Sequence, residues 1–502
     1  MNKMIQFIRK NIYKWHKVIG LITIIPVIFW CLSGLMHPFL AHWFKPKIAN
    51  EFIIPQTLNQ QQIQLSLKQV LDKSNIATFK NSRVVQFNGN SYYQVKTIQD
   101  EWLYFDTQSG QELIDGDKKY AEHLARYFLA DSTSKIKSIT KQAEFSQQYK
   151  YINRLLPVWK VSFDRIDNMD VYVETPYARL GTFNPTSRKV FLWIFDNFHN
   201  WTFLKSIGNE SFRIALIILF LTIICVSSLS GIIIYGFMWG RFKKPHPENK
   251  KGVLRKYHRQ IGISVALVSL TFAFSGGYHA TRKIEPDVLP LMIYESIISS
   301  EELPENLPID KIDWKKTTNI SFVKADSTLF YQIFQKGDKG KTGTVIYLSA
   351  ADNQEWTNGN VEYALFLANI FNERCKNLNQ ENCCEMSNLP NQAKTGNAKV
   401  LKTEELTAFE KREYGFAFKR LPVVRISYDT PEKTNLYIET ATSRLAAKVE
   451  NADRYEGYSF AILHKFLFMD WAGKNIRDIV MMLSALGVFT VSTIGLVLFL
   501  KK

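Results

Sequence analysis

Four long apolar runs stand out from an otherwise polar chain, at about Val18 to Leu40, Ile214 to Trp239, Gln260 to Ala280 and Ile479 to Leu500. Each is close to the ~20 residues a helix needs to cross a bilayer, so four transmembrane helices are expected. Between them the pattern changes. Ile63 to Leu71 has helical spacing, whereas Ser82 to Phe87, Ser91 to Thr97 and Glu101 to Asp106 alternate as strands around an Asn88-Gly89-Asn90 turn. Tyr120 to Leu129 is helical again, and Leu180 to Val190 and Arg444 to Asp453 read as strand and turn.

The fold class expected is therefore an α-helical membrane protein with two α+β extracytoplasmic domains. Residues 1–42 hold the N-terminus and first helix, 43–210 an outer domain ending in a histidine-bearing segment, and 211–240 the second helix. A basic loop at 241–257, a third helix at 258–280, a second outer domain at 281–475 and a last helix at 476–502 complete the chain. Lys3, Arg9, Lys10, Lys14 and Lys17 precede the first run. Arg241, Lys243, Lys244, Lys250, Lys251, Arg255, Lys256 and Arg259 lie between the second and third, and Lys501 and Lys502 end the chain. Basic flanks stay in the cytoplasm, which puts both termini there and the long segments outside. The formal net charge of +17 partly reflects these flanks, so no nucleic-acid partner is expected. A cleaved leader is not expected either, because the third run repeats the pattern of the first deep inside the chain.

That repetition is extensive. Lys14-Trp15-His16 with Gly20, Ser33-Gly34 and His37 returns 242 residues later as Lys256-Tyr257-His258 with Gly262, Ser275-Gly276 and His279. Leu156-Pro157, Tyr172-Val173-Glu174-Thr175, Arg179 and His199 return 265 later as Leu421-Pro422, Tyr437-Ile438-Glu439-Thr440, Arg444 and His464. The chain reads as two homologous halves, with about 23 residues gained between Phe371 and Ala398.

Six of nine histidines fall at duplicated positions: His16 with His258, His37 with His279, and His199 with His464. A single histidine at a helix mouth more often hydrogen-bonds a headgroup or a carbonyl. Six at repeat-related places point instead to cofactor ligation, with haem iron ahead of zinc because no carboxylate or thiolate stands at metal-ligand spacing. His16 and His258 would meet at the cytoplasmic face, and the outer four would supply a second pair, or two. Gly20, Gly262, Gly34 and Gly276 offer close approach to a helix or a flat macrocycle. Arg213 and Arg477 suit either propionate pairing or interfacial anchoring. His42, His123 and His246 lack repeat partners and read as surface or interface residues. His16 and His37 are 21 residues apart, or ~32 Å along a straight helix, unless haems lean inward or aromatic residues such as Phe29 and Trp30 fill the gap.

Cys31 and Cys225 lie in membrane runs as packing residues, while a disulfide from Cys375 to Cys383 or Cys384 is expected outside. There is no phosphate-binding glycine loop, Rossmann fingerprint, zinc-protease motif or nucleophile elbow.

Trp15-His16-Lys17-Val18-Ile19-Gly20-Leu21 with Ser33-Gly34, and Leu463-His464 with Gly473-Lys474, make the chain resemble the PepSY-associated transmembrane family and its inner-membrane ferrisiderophore reductases. Residues 63–106 resemble a PepSY module, and 318–349 a looser one. The resemblance implies b-type haem in a bacterial inner-membrane reductase, and the histidine pairs put the expected number at two per chain. Its partners would be the lipid bilayer, a cytoplasmic electron donor such as a separate flavoprotein, and a periplasmic ferric chelate. The rival expectations are a cofactor-free PepSY scaffold or peptidase regulator, and a haem or iron-chelate transport accessory without redox turnover.

Overall fold

In the computed structural model, which describes residues 3–242, 250–283, 292–337, 343–381, 398–410, 413–415 and 418–500, the first apolar run becomes α1 (Lys3–Pro38) and continues through a π-helical turn at Phe39–Trp43. The helix expected over Ile63 to Leu71 starts later, as α2 (Leu67–Lys73). A 3-10 turn at Gln60–Gln62 precedes it, and Ser66 and Gln69 exchange side-chain-to-backbone bonds as a capping box. The alternating runs form β1 (Thr78–Phe79), β2 (Asn81–Phe87), β3 (Asn90–Lys96) and β4 (Trp102–Asp106). Asn88 and Gly89, at φ 52° and 84°, make the tight turn between β2 and β3. After α3 (Gly116–Leu129), a four-stranded antiparallel sheet runs in order through β5 (Ile136–Gln142), β6 (Val158–Phe163), β7 (Asp170–Glu174) and β8 (Arg179–Asn184).

The turn expected after β8 is instead α4 (Thr186–Phe198), because Val190, Phe191, Ile194, Phe195 and Phe198 recur at helical spacing. Asn209 caps α5 (Glu210–Phe237), its side chain accepting from the Phe212 amide at 2.8 Å, and α6 (Trp239–Phe242) follows. The same order then recurs: α7 (Lys250–Thr281), β9 (Ile298–Ser299), β10 (Thr317–Ala325), β11 (Thr328–Gln335), β12 (Thr344–Ser349) and α8 (Gly359–Glu381). A second four-stranded sheet comprises β13 (Val400–Leu406), β14 (Val423–Tyr428), β15 (Asn435–Glu439) and β16 (Arg444–Val449), before α9 (Asn451–Ser459) and α10 (Lys474–Leu500). Here too the expected turn at Arg444 to Asp453 gives way to a helix. The side chain of Cys375, and Cys383, Cys384, Lys243, Lys244, His246, Lys501 and Lys502, lie outside the described residues.

Two compact units result. One comprises residues 1–46, 187–286 and 452–502, the other 47–186 and 287–451. In the first, α1, α5, α7 and α10 are long and apolar enough to cross a membrane, by length and composition. Both α1 and α7 pack against α5 and α10. The segments that lead into α5 and α10 belong to this unit as well, which matters for the histidines they carry.

In the second unit the strands β12-β11-β10-β2-β3-β4 form one six-stranded sheet, joined where Ser321 of β10 pairs with Arg83 of β2. Successive residues point to opposite faces. Val84 packs with Leu67, Val70 and Leu71 of α2, while Val85 packs with Leu124 and Phe128 of α3. Each buried aliphatic or aromatic side chain of this kind contributes roughly 1.5–3 kcal/mol. The polar core is duplicated too: Gln94 donates to Tyr104 and Tyr104 to Asp117, as Gln332 donates to Tyr347 and Tyr347 to Asn360. Gly116 lies against Tyr104 so closely that a Cβ would fall 2.6 Å from the tyrosine Cβ. Because Tyr104 is fully buried and held at its hydroxyl, it cannot step aside. Gly116→Ala is expected to cost about 1–3 kcal/mol through overpacking. An unchanged thermal midpoint of the purified variant would contradict this close contact.

The two four-stranded sheets meet at a buried ionic cluster. Glu439 is fully buried and is bound by Arg179, by Arg420 at 2.8 Å and by the Thr442 hydroxyl. Its repeat partner Glu174 lies 3.5 Å from Arg179 and 3.7 Å from Arg420. Burial alone would raise the Glu439 carboxyl, but Arg179 and Arg420 outweigh it and hold it down to about 2. The Nε of Arg444 is buried nearby without a hydrogen-bond partner.

Candidate histidine sites

His16 on α1 and His258 on α7 are brought together, with ring centroids 6.5 Å apart and planes at 64°. Their hydrogen bonds set their tautomers. The Ser230 hydroxyl donates to the Ser227 carbonyl at 2.7 Å, so toward His16 Nδ1, 2.8 Å away, its oxygen is the acceptor. His258 Nδ1 lies 3.1 Å from the Val491 carbonyl, which can only accept. In both rings Nδ1 therefore carries the proton and Nε2 keeps its lone pair, the form that binds a metal.

The same device recurs toward the other end of the helices. Ser33 donates to the Phe29 carbonyl at 2.8 Å and accepts from His199 Nδ1 at 3.0 Å. Ser275 donates to the Thr271 carbonyl at 2.7 Å and accepts from His464 Nδ1 at 3.2 Å. Phe195 stacks on His199 at 4.4 Å and Phe460 on His464 at 4.6 Å, again 265 residues apart. Burial, helped by the positive potential of His464, His37 and Lys283, pushes His199 down to about 3. Burial and Lys465 push His464 down to about 4. Both rings are thus neutral at physiological pH, as ligands must be. Ser33 is 17 residues beyond His16, about 25 Å along α1, which shortens the ~32 Å expected from His37. Trp30 does not lie free in this interval: it stacks on Trp201 at 4.8 Å and donates to the His199 carbonyl at 2.8 Å.

His37 and His279 are not treated alike. His37 meets the rings of Phe195 at 5.8 Å and Phe191 at 6.4 Å, whereas His279 Nδ1 lies 2.6 Å from Glu456 and its ring 4.7 Å from Phe460. His42, expected as a surface or interface residue, pairs with the buried Asp478 at 2.7 Å. His123 sits near Asn88 at 3.3 Å. Arg213 is bound by Glu210 and the Asn200 carbonyl, whereas Arg477 is bound by Asp470 through one nitrogen and its Nε is buried without a hydrogen-bond partner.

Two glycines beside the first histidine pair escape a reading of the sequence. A Cβ on Gly231 would sit 3.4 Å from His16 Cε1, and one on Gly495 3.3 Å from His258 Cε1. Around Gly20 and Gly34 there is open space, while Gly262 faces Val491 and Gly276 faces Leu221 and His464. The signal was present in the 264-residue spacing that Gly231 and Gly495 share with Arg213 and Arg477. Lys283 and Lys465 were missed as well. Both are exposed, and Lys465 Nζ lies 5.1 Å from the Phe460 ring.

Among the described residues, no three His, Cys, Asp or Glu side chains gather as ligands for a bare metal ion. What the molecule offers is histidines in twos. No curated protein matches the chain. A family pattern does, and it extends from before His16 to beyond His464, taking in all four apolar helices and the β-rich unit between them. Over residues 13–502 the match is to the PepSY-associated TM region, and this membrane protein belongs to that family.

Proposed function

We propose that the protein is a haem-containing reductase of the bacterial inner membrane, passing electrons from a cytoplasmic donor to a ferric chelate in the periplasm. The observation that carries this reading is the set of four histidines, His16, His258, His199 and His464, each with Nδ1 anchored and Nε2 without a hydrogen-bond partner among the described residues. Two metal–nitrogen bonds of about 2 Å plus the half-widths of two imidazoles place coaxial ring centroids roughly 6 Å apart. The 6.5 Å between His16 and His258 fits that requirement. Haem b supplies one-electron redox chemistry when held by His16 with His258 at the cytoplasmic end and by His199 with His464 at the periplasmic end.

The remaining residues orient and tune. Ser230, the Val491 carbonyl, Ser33 and Ser275 fix ring direction and basicity, and Gly231 and Gly495 keep side chains away from the inner rings. Lys283 and Lys465 bring positive charge to the outer pair. Basic residues Lys10, Lys14 and Lys17 ahead of the first span support the cytoplasmic placement of His16, and the duplicated sequence supports two homologous halves with periplasmic domains. Reduction of iron(III) to iron(II) weakens its hold by hard oxygen donors, which is what makes such a chelate a useful acceptor.

The test is the visible spectrum of the detergent-purified protein, oxidised and dithionite-reduced, with a pyridine-haemochrome count. A low-spin b-type spectrum with about two haems per chain is expected. A colourless protein that takes up no added haem would overturn the proposal and leave the scaffold or regulator as the reading to pursue.

A further inference from the structure

We infer that the groove between the β10–β11 turn and α8 binds an organic ammonium ion. Its volume is about 510 Å³, within the ~300–1,000 Å³ typical of small-molecule sites. The floor is aromatic and braced: Phe330 and Trp356 stack at 4.5 Å and 24°, and Tyr347 meets Trp356 edge-on at 5.9 Å. Phe366, stacked on Tyr363 at 6.0 Å, lines the same groove. Asp326, Glu362 and Glu373 line it too, and among the described residues none of the three has an ion-pair partner. Lys324, two residues from Asp326, is engaged by Glu302 at 2.6 Å. A cation entering here meets aromatic rings and carboxylates together, the combination that selects ammonium groups.

The fold itself does not require this chemistry, as the first half of the chain demonstrates. Asn88 at φ 52° occupies the turn position of Asp326 at φ 51°, and Gly116 lies against Tyr104 as Gly359 lies against Tyr347. From that register, Lys119, His123 and Arg126 stand where α8 has Glu362, Phe366 and Asn369. One scaffold thus carries basic residues in the first half and an acidic, aromatic groove in the second. In a chain of formal charge +17, three carboxylates without ion-pair partners around an aromatic floor are a local reversal of sign.

Calorimetric titration of the full-length, detergent-solubilised protein with 1,5-diaminopentane tests the inference, with N-acetyl-lysine methylamide as a second arm and pentanoate as the anionic control. Saturable binding of one diamine per chain, with none of pentanoate, is expected. Tighter binding of the lysine derivative would point to a protein side chain as the source of the ammonium group; tighter binding of the diamine would point to a free amine. Affinity should fall about tenfold or more in Glu362→Gln/Glu373→Gln and in Trp356→Leu. Since both glutamates are exposed, the double variant should fold with an unchanged thermal midpoint; Glu373→Gln alone provides a milder check. No saturable heat, or binding unaffected by loss of the two carboxylates, would overturn the inference. Haem content plays no part in either outcome.

Discussion

His16→Ala is expected to lower the haem count from about two per chain to about one, and His258→Ala to do the same. The reason lies in the pairing. With one ring removed, the other keeps its Nδ1 anchor but has no second imidazole opposite it. A haem held there by two imidazoles would lose half of its protein ligation with either ring gone. The haem that remains should be the one held by His199 and His464, which sit about 25 Å farther along α1 and share no hydrogen-bond partner with the first pair. Ser230→Ala is a finer probe, because it keeps the ligand and removes only its orienting partner. Losses of 10- to 100-fold in affinity are usual for such outer partners, so this variant should bind haem but release it more readily to apomyoglobin. His42→Ala, which breaks only the bond to Asp478, should keep both haems. If His16→Ala retained both, the assignment of the inner site would fail.

The largest stability effect should come from the second, β-rich unit. Glu439→Gln preserves shape and removes the charge that compensates Arg179 and Arg420, leaving buried guanidinium groups with only Glu174 for company. Breaking a buried pair in this way costs about 3–5 kcal/mol. Glu405→Gln, at an exposed position on β13, should stay within about 0.5 kcal/mol and serves as the control. The cluster also predicts a pH dependence. Glu439 is held near 2 in the folded protein, against a usual glutamate value of about 4.3 when unfolded. Its contribution is therefore fully present above pH ~4.3 and is lost as the pH falls toward 2, because the unfolded state then takes up the proton first. Thermal unfolding followed between pH 7 and pH 3 should show the wild type losing more stability on the acid side than Glu439→Gln. Parallel curves for the two proteins would contradict the role assigned to this carboxylate.

Both predictions concern residues that the duplicated sequence already singles out, yet for different reasons. His16 and His258 attract notice as histidines. Glu174 and Glu439 are noticed only because Tyr-Val-Glu-Thr returns as Tyr-Ile-Glu-Thr, and nothing in that repetition says that each glutamate shares its arginines with the other. The helices α4 and α9 show the opposite failure. Their spacing was readable, but a strand pattern running directly into them masked the start of each.

The sequence by itself determined the four candidate spanning helices, the alternating strands of the first module, the family and the set of duplicated histidines. These follow from local periodicity and from residue identity at fixed spacing, which survive without knowledge of the fold. Tertiary structure alone decided which histidines meet, which nitrogen of each ring is anchored, and that Gly231 and Gly495 rather than Gly20 and Gly262 lie beside the inner pair. The physical reason is that a hydrogen bond or a close approach depends on the rotation of one helix against another. That rotation is set by the summed packing of many side chains and is written at no single position of the chain.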